Sequence, residues 1–89
     1  MKFNDVSREV KKKAYWLFRS GKVRKDLESE KRIFFSVLSR ETHSVIFDKD
    51  KNEFSCDCNY FSLHFKPCSH IIAVKLFLDE INNKKVSRE

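Results

Sequence analysis

The sequence predicts an α+β fold: an N-terminal helix, a small antiparallel sheet of three or four strands and a buried C-terminal helix in a single domain, residues 1–89. Three observations support this prediction. Apolar residues recur every three or four positions near the N-terminus, alternate in the middle of the chain, and fill most of a segment that begins at His70. Because a chain of 89 residues buries a smaller fraction of its surface than a larger one, a cross-link that supplements the core is expected.

The first helix is predicted over residues 5–20, within an N-terminal amphipathic unit of residues 1–21. Its apolar side chains have the spacing of one helical face; they are Val6, Val10, Ala14, Leu17 and Phe18. Asn4 or Asp5 is expected to cap the start of the helix. Ser20-Gly21 supplies the left-handed residue that commonly ends a helix.

Strands are predicted from residue 22 onwards, weakly in VRKDL and clearly in RIFFSVLS. In the second segment Ile33, Phe35 and Val37 share one face, while Phe34 and Leu38 share the other, so both faces are expected to be covered. A further strand is predicted over residues 44–48 and a short one over residues 53–56. The polar residues between these segments predict the turns of antiparallel hairpins.

The C-terminal helix is predicted from His70 to about Asn82, because HIIAVKLFLDEIN is apolar on nearly every side and must be largely buried. Ser69 is expected to be its N-cap, two residues after Pro67. Residues 22–82 therefore form one module. Residues 83–89 lack an apolar pattern and are expected to be a flexible tail.

The segment FSCDCNYFSLHFKPCSHIIAV contains a C-x-C pair, nine intervening residues and a C-x-H pair. Residues two apart on an extended strand point to the same side, so Cys56 and Cys58 can present both sulfurs to one ion. Cys68 is expected in the turn before the helix and His70 in its first turn. Three thiolates and one imidazole form the closed tetrahedral ligand set of a structural zinc. We therefore expect one Zn²⁺ bound by Cys56, Cys58, Cys68 and His70, joining the sheet to the helix as in a ββα-like zinc finger.

Alternatives to this ligand set remain open from the sequence. Three cysteines and a histidine could be ordinary core residues, since cysteine is among the most buried residue types. His64 could replace His70 as the fourth ligand, although it has no paired spacing. His43, in a polar hairpin connection, is expected to be exposed to solvent. A disulfide between Cys56 and Cys58 is disfavoured because strand neighbours two apart would need a distorted bridge.

The C-x-C, nine residues, C-x-H order, followed at once by HIIAVKLFL, resembles the SWIM-type zinc finger. The resemblance extends over roughly residues 33–81. It implies a binding module that contacts DNA or other proteins, since SWIM domains occur in transposases, chromatin-associated ATPases, ubiquitin-pathway proteins and partners of RecA-like recombinases. The larger host enzyme that usually carries the domain is absent, so this chain is expected to bind alone or to serve a separate partner.

The charge of the chain is unevenly distributed. Residues 1–40 contain twelve Lys and Arg against five Asp and Glu, whereas residues 41–89 contain seven against eight. Basic clusters release counterions when they meet phosphates, so the N-terminal part is expected to bind nucleic acid, most simply DNA. The residues predicted to form this surface are Arg8, Lys11, Lys12, Lys13, Arg19, Lys22, Arg24 and Lys25.

A protein partner, such as a recombination or DNA-processing ATPase, is the alternative prediction. Aromatic residues are favoured at interface centres, and the candidates are Tyr15, Trp16, Tyr60 and Phe61. An enzyme is not expected, because the zinc site is closed, the chain has one Gly for any phosphate loop, and no catalytic motif stands out. No membrane or small-molecule partner is expected. Three cysteines and the absence of a signal peptide or membrane span indicate an intracellular location, cytoplasmic or nuclear.

Overall fold

The computed structural model describes residues 6–64 and 66–87, and the side chains of all of these except Tyr60 and residues 82–87. The predicted α+β architecture is confirmed, with an N-terminal helix, a four-stranded antiparallel sheet and a C-terminal helix. The elements are α1 (Arg8–Arg19), β1 (Val23–Glu28), β2 (Arg32–Leu38), β3 (Thr42–Asp48), β4 (Glu53–Cys56), α2 (Asn59–His64) and α3 (Ser69–Ser87). None of the helices in this described part of the chain is long and apolar enough to cross a membrane.

Helix α1 begins and ends at residues whose chemistry suits a helix terminus. Ser7 is the N-cap, and its hydroxyl accepts a hydrogen bond from the Val10 backbone N–H at 3.3 Å. The prediction that Asn4 or Asp5 caps the helix is therefore wrong; both lie outside the described residues. The end of the helix is as predicted, because Ser20 is the C-cap and Gly21 has a φ of +71°, which side chains rarely tolerate.

The sheet has the strand order β1-β2-β3-β4, with every neighbouring pair antiparallel. Phe35 in the middle of β2 lies opposite Val45, which in turn lies opposite Cys56 at the end of β4. All three are buried. This register brings the first cysteine of the C-x-C pair to the core face of the sheet.

Helix α3 packs on the core face of the sheet, and α1 packs on α3. Ala14 and Leu17 of α1 are fully buried, as are Ile71 and Val74 of α3. Phe35 meets Phe77 of α3 edge to face, with 6.2 Å between the ring centroids. The core is therefore continuous from the sheet through α3 to the first helix.

Three further expectations differ from the structure. The outer face of β2 is not covered as expected, since Leu38 is 47% exposed and Phe34 is only half-buried. The six-residue helix α2 occupies a segment for which the sequence predicted only a connection. Helix α3 continues to Ser87, so residues 83–87 are helical where a tail was expected.

Candidate metal centre

The sulfur atoms of Cys56, Cys58 and Cys68 and a ring nitrogen of His70 converge on one point between the sheet and α3. These four ligand atoms lie within 4.8 Å of one another, and all four residues are buried. They are the four residues that the spacing of the sequence predicted. The cluster lies where β4 ends and α3 begins, so any ion held there joins the two layers of the core.

The distances within the cluster fit a zinc ion. Bonds of about 2.3 Å to sulfur and 2.0–2.1 Å to nitrogen at a tetrahedral angle place sulfur and nitrogen about 3.6 Å apart. The Nδ1 atom of His70 lies 3.6 Å from the Cys68 sulfur and 3.7 Å from the Cys56 sulfur. The residues therefore fit one four-coordinate zinc whose bonds are all made by the protein. Such an ion supplies a structural cross-link and leaves no position for a substrate.

The orientation of His70 identifies Nδ1 as its ligand atom. Its Nε2 atom is buried and has no hydrogen-bond partner among the described residues. A metal-bound imidazole keeps its proton on the other nitrogen, so a metal held by Nδ1 would leave the proton on the buried Nε2. His70 is also one of the residues that line a cavity of 320 Å³, together with Glu9, Lys13 and His43.

Two of the cysteines begin helices, which fixes their sulfur atoms. The carbonyl of Cys58 accepts the first hydrogen bond of α2, from the Ser62 N–H, and the carbonyl of Cys68 accepts that of α3, from the Ile72 N–H. Each sulfur also accepts from the backbone N–H three residues on, as the side chain of an N-cap does. Cys68, rather than the predicted Ser69, is therefore the N-cap of α3.

This arrangement stabilises negative charge on one sulfur in particular. The hydrogen bond from the Cys56 thiol, followed by those from His70 and the Ile71 N–H, lowers the pKa of Cys68 to about 4 against the opposing effect of burial. The same contact with Cys68, followed by burial, raises the pKa of Cys56 above its ordinary range. Burial also raises the pKa of Cys58. A zinc ion at this position would hold all three as thiolates, so its binding releases protons.

The expectation that Cys56 and Cys58 share an extended strand is only partly correct. Strand β4 ends at Cys56, and Cys58 lies beyond it in the turn that leads into α2. Both sulfurs still reach the same point because α2 begins directly after Cys58. His64 is exposed at the end of α2 and is not part of the cluster, whose fourth member is His70.

His43 supports the site and was missed by the sequence analysis. The prediction of an exposed loop residue is wrong, because β3 begins at Thr42 and His43 is half-buried within it. Its ring stacks on that of His70 with 4.1 Å between centroids, and its Nδ1–H donates to the Asp57 carboxylate at 3.1 Å. The signal was the alternation of His43 with Val45 and Phe47, which places all three on the core face.

The predicted basic residues occupy several parts of the surface. Arg8, Lys11 and Lys12 line a groove between α1 and α3, whereas Lys13 borders the cavity beside His70. Arg19 is exposed at the end of α1, and its guanidinium carbon lies 5.9 Å from the centroid of the Tyr15 ring. The remaining three lie at or just before β1: Lys22 is half-buried, while Arg24 and Lys25 are exposed.

Comparison with known proteins agrees with this site. Residues 43–79 match the SWIM zinc finger family model, which confirms the resemblance predicted from the C-x-C and C-x-H pairs. The matched segment begins at His43 and includes β4, α2, the four ligands and the buried part of α3. No curated protein and no solved structure gives a significant match to the chain.

Proposed function

We propose that this chain, whose residues 43–79 match the SWIM zinc finger, is a zinc-stabilised module that binds DNA through the exposed face of α1. One observation supports this choice above others. Arg8, Lys11, Lys12 and Lys13 are exposed, and none of them forms an ion pair or hydrogen bond with another described side chain. The first helix therefore carries a concentration of positive charge that forms no ion pair with the side chains described in the structure.

Some cations elsewhere on the surface have carboxylate partners. Lys25 and Lys49 both contact Glu28, at 2.9 Å and 2.6 Å, and the Lys75 ammonium lies 3.1 Å from Asp79. Glu9 is the one acidic residue of α1. The cluster of four exposed cations at the start of α1 favours an anionic partner there. The contact with Glu28 gives Lys25, of the eight predicted residues, a smaller part in binding.

Contacts between these side chains and phosphates would give affinity with little base specificity, because lysine and arginine read the backbone rather than the base edges. Neutralising four phosphates on duplex DNA predicts a slope of about −3.6 for the logarithm of the association constant against the logarithm of the salt concentration. Affinity at physiological salt is expected to be in the range of about 10⁻⁴ to 10⁻⁶ M.

The test is the anisotropy of a fluorescent DNA duplex titrated with protein at several salt concentrations. The double variant Lys11→Gln/Lys12→Gln should weaken binding and reduce the magnitude of the slope by about 2. Lys31→Gln, which removes an exposed cation on the turn between β1 and β2, is the matched control and should have a smaller effect. An affinity that does not depend on salt, or no binding at low salt, would refute the proposal.

A second candidate function is that of an adaptor for a protein such as a recombination or DNA-processing ATPase. Tyr15 and Trp16 favour it because they are 55% and 57% exposed. The other two candidates add less: Phe61 is half-buried against the core, and the side chain of Tyr60 lies outside the described residues. Recovery of bound proteins from cell extract with and without nuclease separates the two functions, since partners lost on nuclease treatment are held through nucleic acid.

Under this proposal the protein is a binding module and not an enzyme, because the four side chains would fill all four coordination positions of the zinc and leave none for a substrate. It also places the protein inside the cell. Reducing compartments keep cysteines available as metal ligands, whereas oxidising ones favour disulfides.

A further inference from the structure

Two aromatic rings stand on the solvent side of α1, where an amphipathic helix ordinarily carries polar residues. Tyr15 and Trp16 are both more than half exposed, whereas the core side of the helix is provided by Ala14 and Leu17, which are fully buried. Helix α1 therefore has a complete apolar face without these two rings. The packing of the core therefore does not explain why Tyr15 and Trp16 are aromatic.

The rings are interleaved with the cations of the helix. Arg8, Lys12, Tyr15 and Arg19 follow one another at intervals of four, three and four residues, which forms a single stripe about 17 Å long. Trp16 lies one turn beyond Lys12 on the adjoining side. Beside the stripe runs the groove between α1 and α3, which has a volume of 590 Å³ and includes the apolar side chains Ile72 and Leu76.

We infer that α1 binds single-stranded DNA in preference to duplex, with bases stacked on Trp16 and Tyr15 and phosphates held by the neighbouring cations. This inference rests on the proposed DNA-binding function and specifies its substrate. Exposed aromatics beside a cationic track are the arrangement with which proteins bind unpaired strands, because every base has a face that can stack. In a duplex those faces are covered by neighbouring base pairs.

The lysines beside the exposed rings favour a nucleic-acid partner over a protein partner. Lysine is depleted at the centre of protein interfaces, where arginine is enriched. Lys11 and Lys12 both adjoin the exposed rings and have no carboxylate partner among the residues described. A compact ammonium group suits contact with a phosphate as a point charge. The surface is therefore better matched to a polyanion than to an apolar protein surface.

The chain contains a single tryptophan, so its intrinsic fluorescence reports on Trp16 alone. The zinc-loaded protein is titrated with oligodeoxythymidylate of about 16 nucleotides, near the upper site size of common single-strand-binding folds. A duplex and a single-stranded RNA of equal length are titrated in parallel at the same salt concentration. Stacking should quench Trp16 strongly with the single-stranded DNA and weakly with the duplex.

Variants separate stacking from charge. The Trp16 variants lack tryptophan, so their binding is followed by the anisotropy of labelled oligonucleotides. Trp16→Ala should weaken binding of the single strand by about 5- to 150-fold, the range expected for loss of one stacked base, and should leave duplex binding nearly unchanged. Trp16→Phe keeps an aromatic face and should retain most of the affinity. Because alanine favours a helix more than tryptophan does, neither change threatens α1. Leu38→Ala removes an exposed apolar side chain from the outer sheet face and is the control that should bind as the wild type does.

The outcomes distinguish this inference from the function on which it rests. Equal affinity for single strand and duplex, with Trp16 unquenched, would overturn the inference and leave DNA binding standing. An absence of binding to every nucleic acid at low salt would overturn both. Tighter binding to single-stranded RNA than to DNA would overturn the assignment of DNA as the ligand.

Discussion

Substituting Cys68 by serine tests the structural role of the metal directly, because the change removes a ligand while keeping the start of α3. Cys68 is the N-cap of that helix, and its sulfur accepts a hydrogen bond from the Ile71 N–H. Serine is among the preferred N-cap residues, and its hydroxyl can accept the same bond. Any loss of stability in Cys68→Ser is therefore caused by the loss of metal coordination and not by a weaker helix terminus.

The expected magnitude follows from the size of the chain and the energy of zinc binding. A domain of 89 residues has a free energy of unfolding of about 4–13 kcal/mol. Structural zinc contributes about 10–16 kcal/mol in small zinc-finger peptides, so one ligand in four corresponds to about 2.5–4 kcal/mol. At about 4–8 °C for each kcal/mol in a domain of this size, Cys68→Ser should lower the Tm by about 10–30 °C.

The assay is thermal unfolding followed by circular dichroism, combined with elemental analysis of the purified proteins. The wild type should contain one zinc per chain and should lose stability in excess chelator, and Cys68→Ser, with three ligands left, should lose its zinc at lower chelator concentrations. Ser69→Ala alters the adjacent buried residue, which is neither ligand nor N-cap, and should unfold close to the wild type. Two results would refute the role of zinc in stability: a Tm of Cys68→Ser equal to that of the wild type, or a wild-type Tm that excess chelator does not lower.

Three further predictions concern the surroundings of the site and the sheet. His43→Ala removes the ring stacked on His70 and should weaken zinc binding by about 10- to 100-fold in competition with a chromophoric chelator, while His64→Ala should leave it unchanged. Phe35→Ala should cost about 3–5 kcal/mol in urea unfolding because Phe35 is 1% exposed, and Phe34→Ala, on the uncovered outer face, should cost much less; equal losses would contradict the open outer face. Hydrogen bonds from Lys49 and then Lys25 lower the pKa of Glu28 to about 2, so its carboxylate stabilises the fold above its unfolded pKa of about 4.5 and ceases to do so as the pH falls towards 2. Glu28→Gln should therefore lower the Tm at pH 7 in dilute buffer, and the difference should vanish in about 1 M salt, where exposed charges are screened.

The ligand set could be predicted because its spacing reflects local geometry alone. Pairs of residues two apart reach one ion from a strand end or a helix start, whatever the rest of the chain does. Helix α1 was predictable for a similar reason, since its apolar period of three and four is a local property. The N-cap of α1 could not be predicted, because the side chains of Asn4, Asp5 and Ser7 can all accept hydrogen bonds from free backbone N–H groups.

The parts that the sequence did not predict depend on contacts between distant residues. The sequence alone predicts His43 to be a polar loop residue. In the structure the pairing of β2 and β3 extends far enough to place His43 opposite Val37, within the sheet. The capping role of Cys58 and Cys68 was not predicted because cysteine is not among the usual N-cap residues. Here both cysteines combine the N-cap position with a place in the metal cluster. The open outer face of the sheet was missed because alternating apolar residues alone do not reveal whether a second layer exists.

The packing of α1 on α3 links the metal to the proposed binding surface without any contact between zinc and nucleic acid. Ala14 and Leu17 of α1 are buried in the same core as Ile71 and Val74, and these two follow the ligand His70 within one turn or so of α3. An isolated helix of 12 residues is marginal in water, so α1 depends on that surface to stay folded. We therefore expect loss of zinc to free the start of α3 from the sheet and to weaken the support on which α1 rests. On the proposed function, the cations and rings of α1 are expected to act together only while the metal is bound, so nucleic-acid binding should be lost when the zinc is removed.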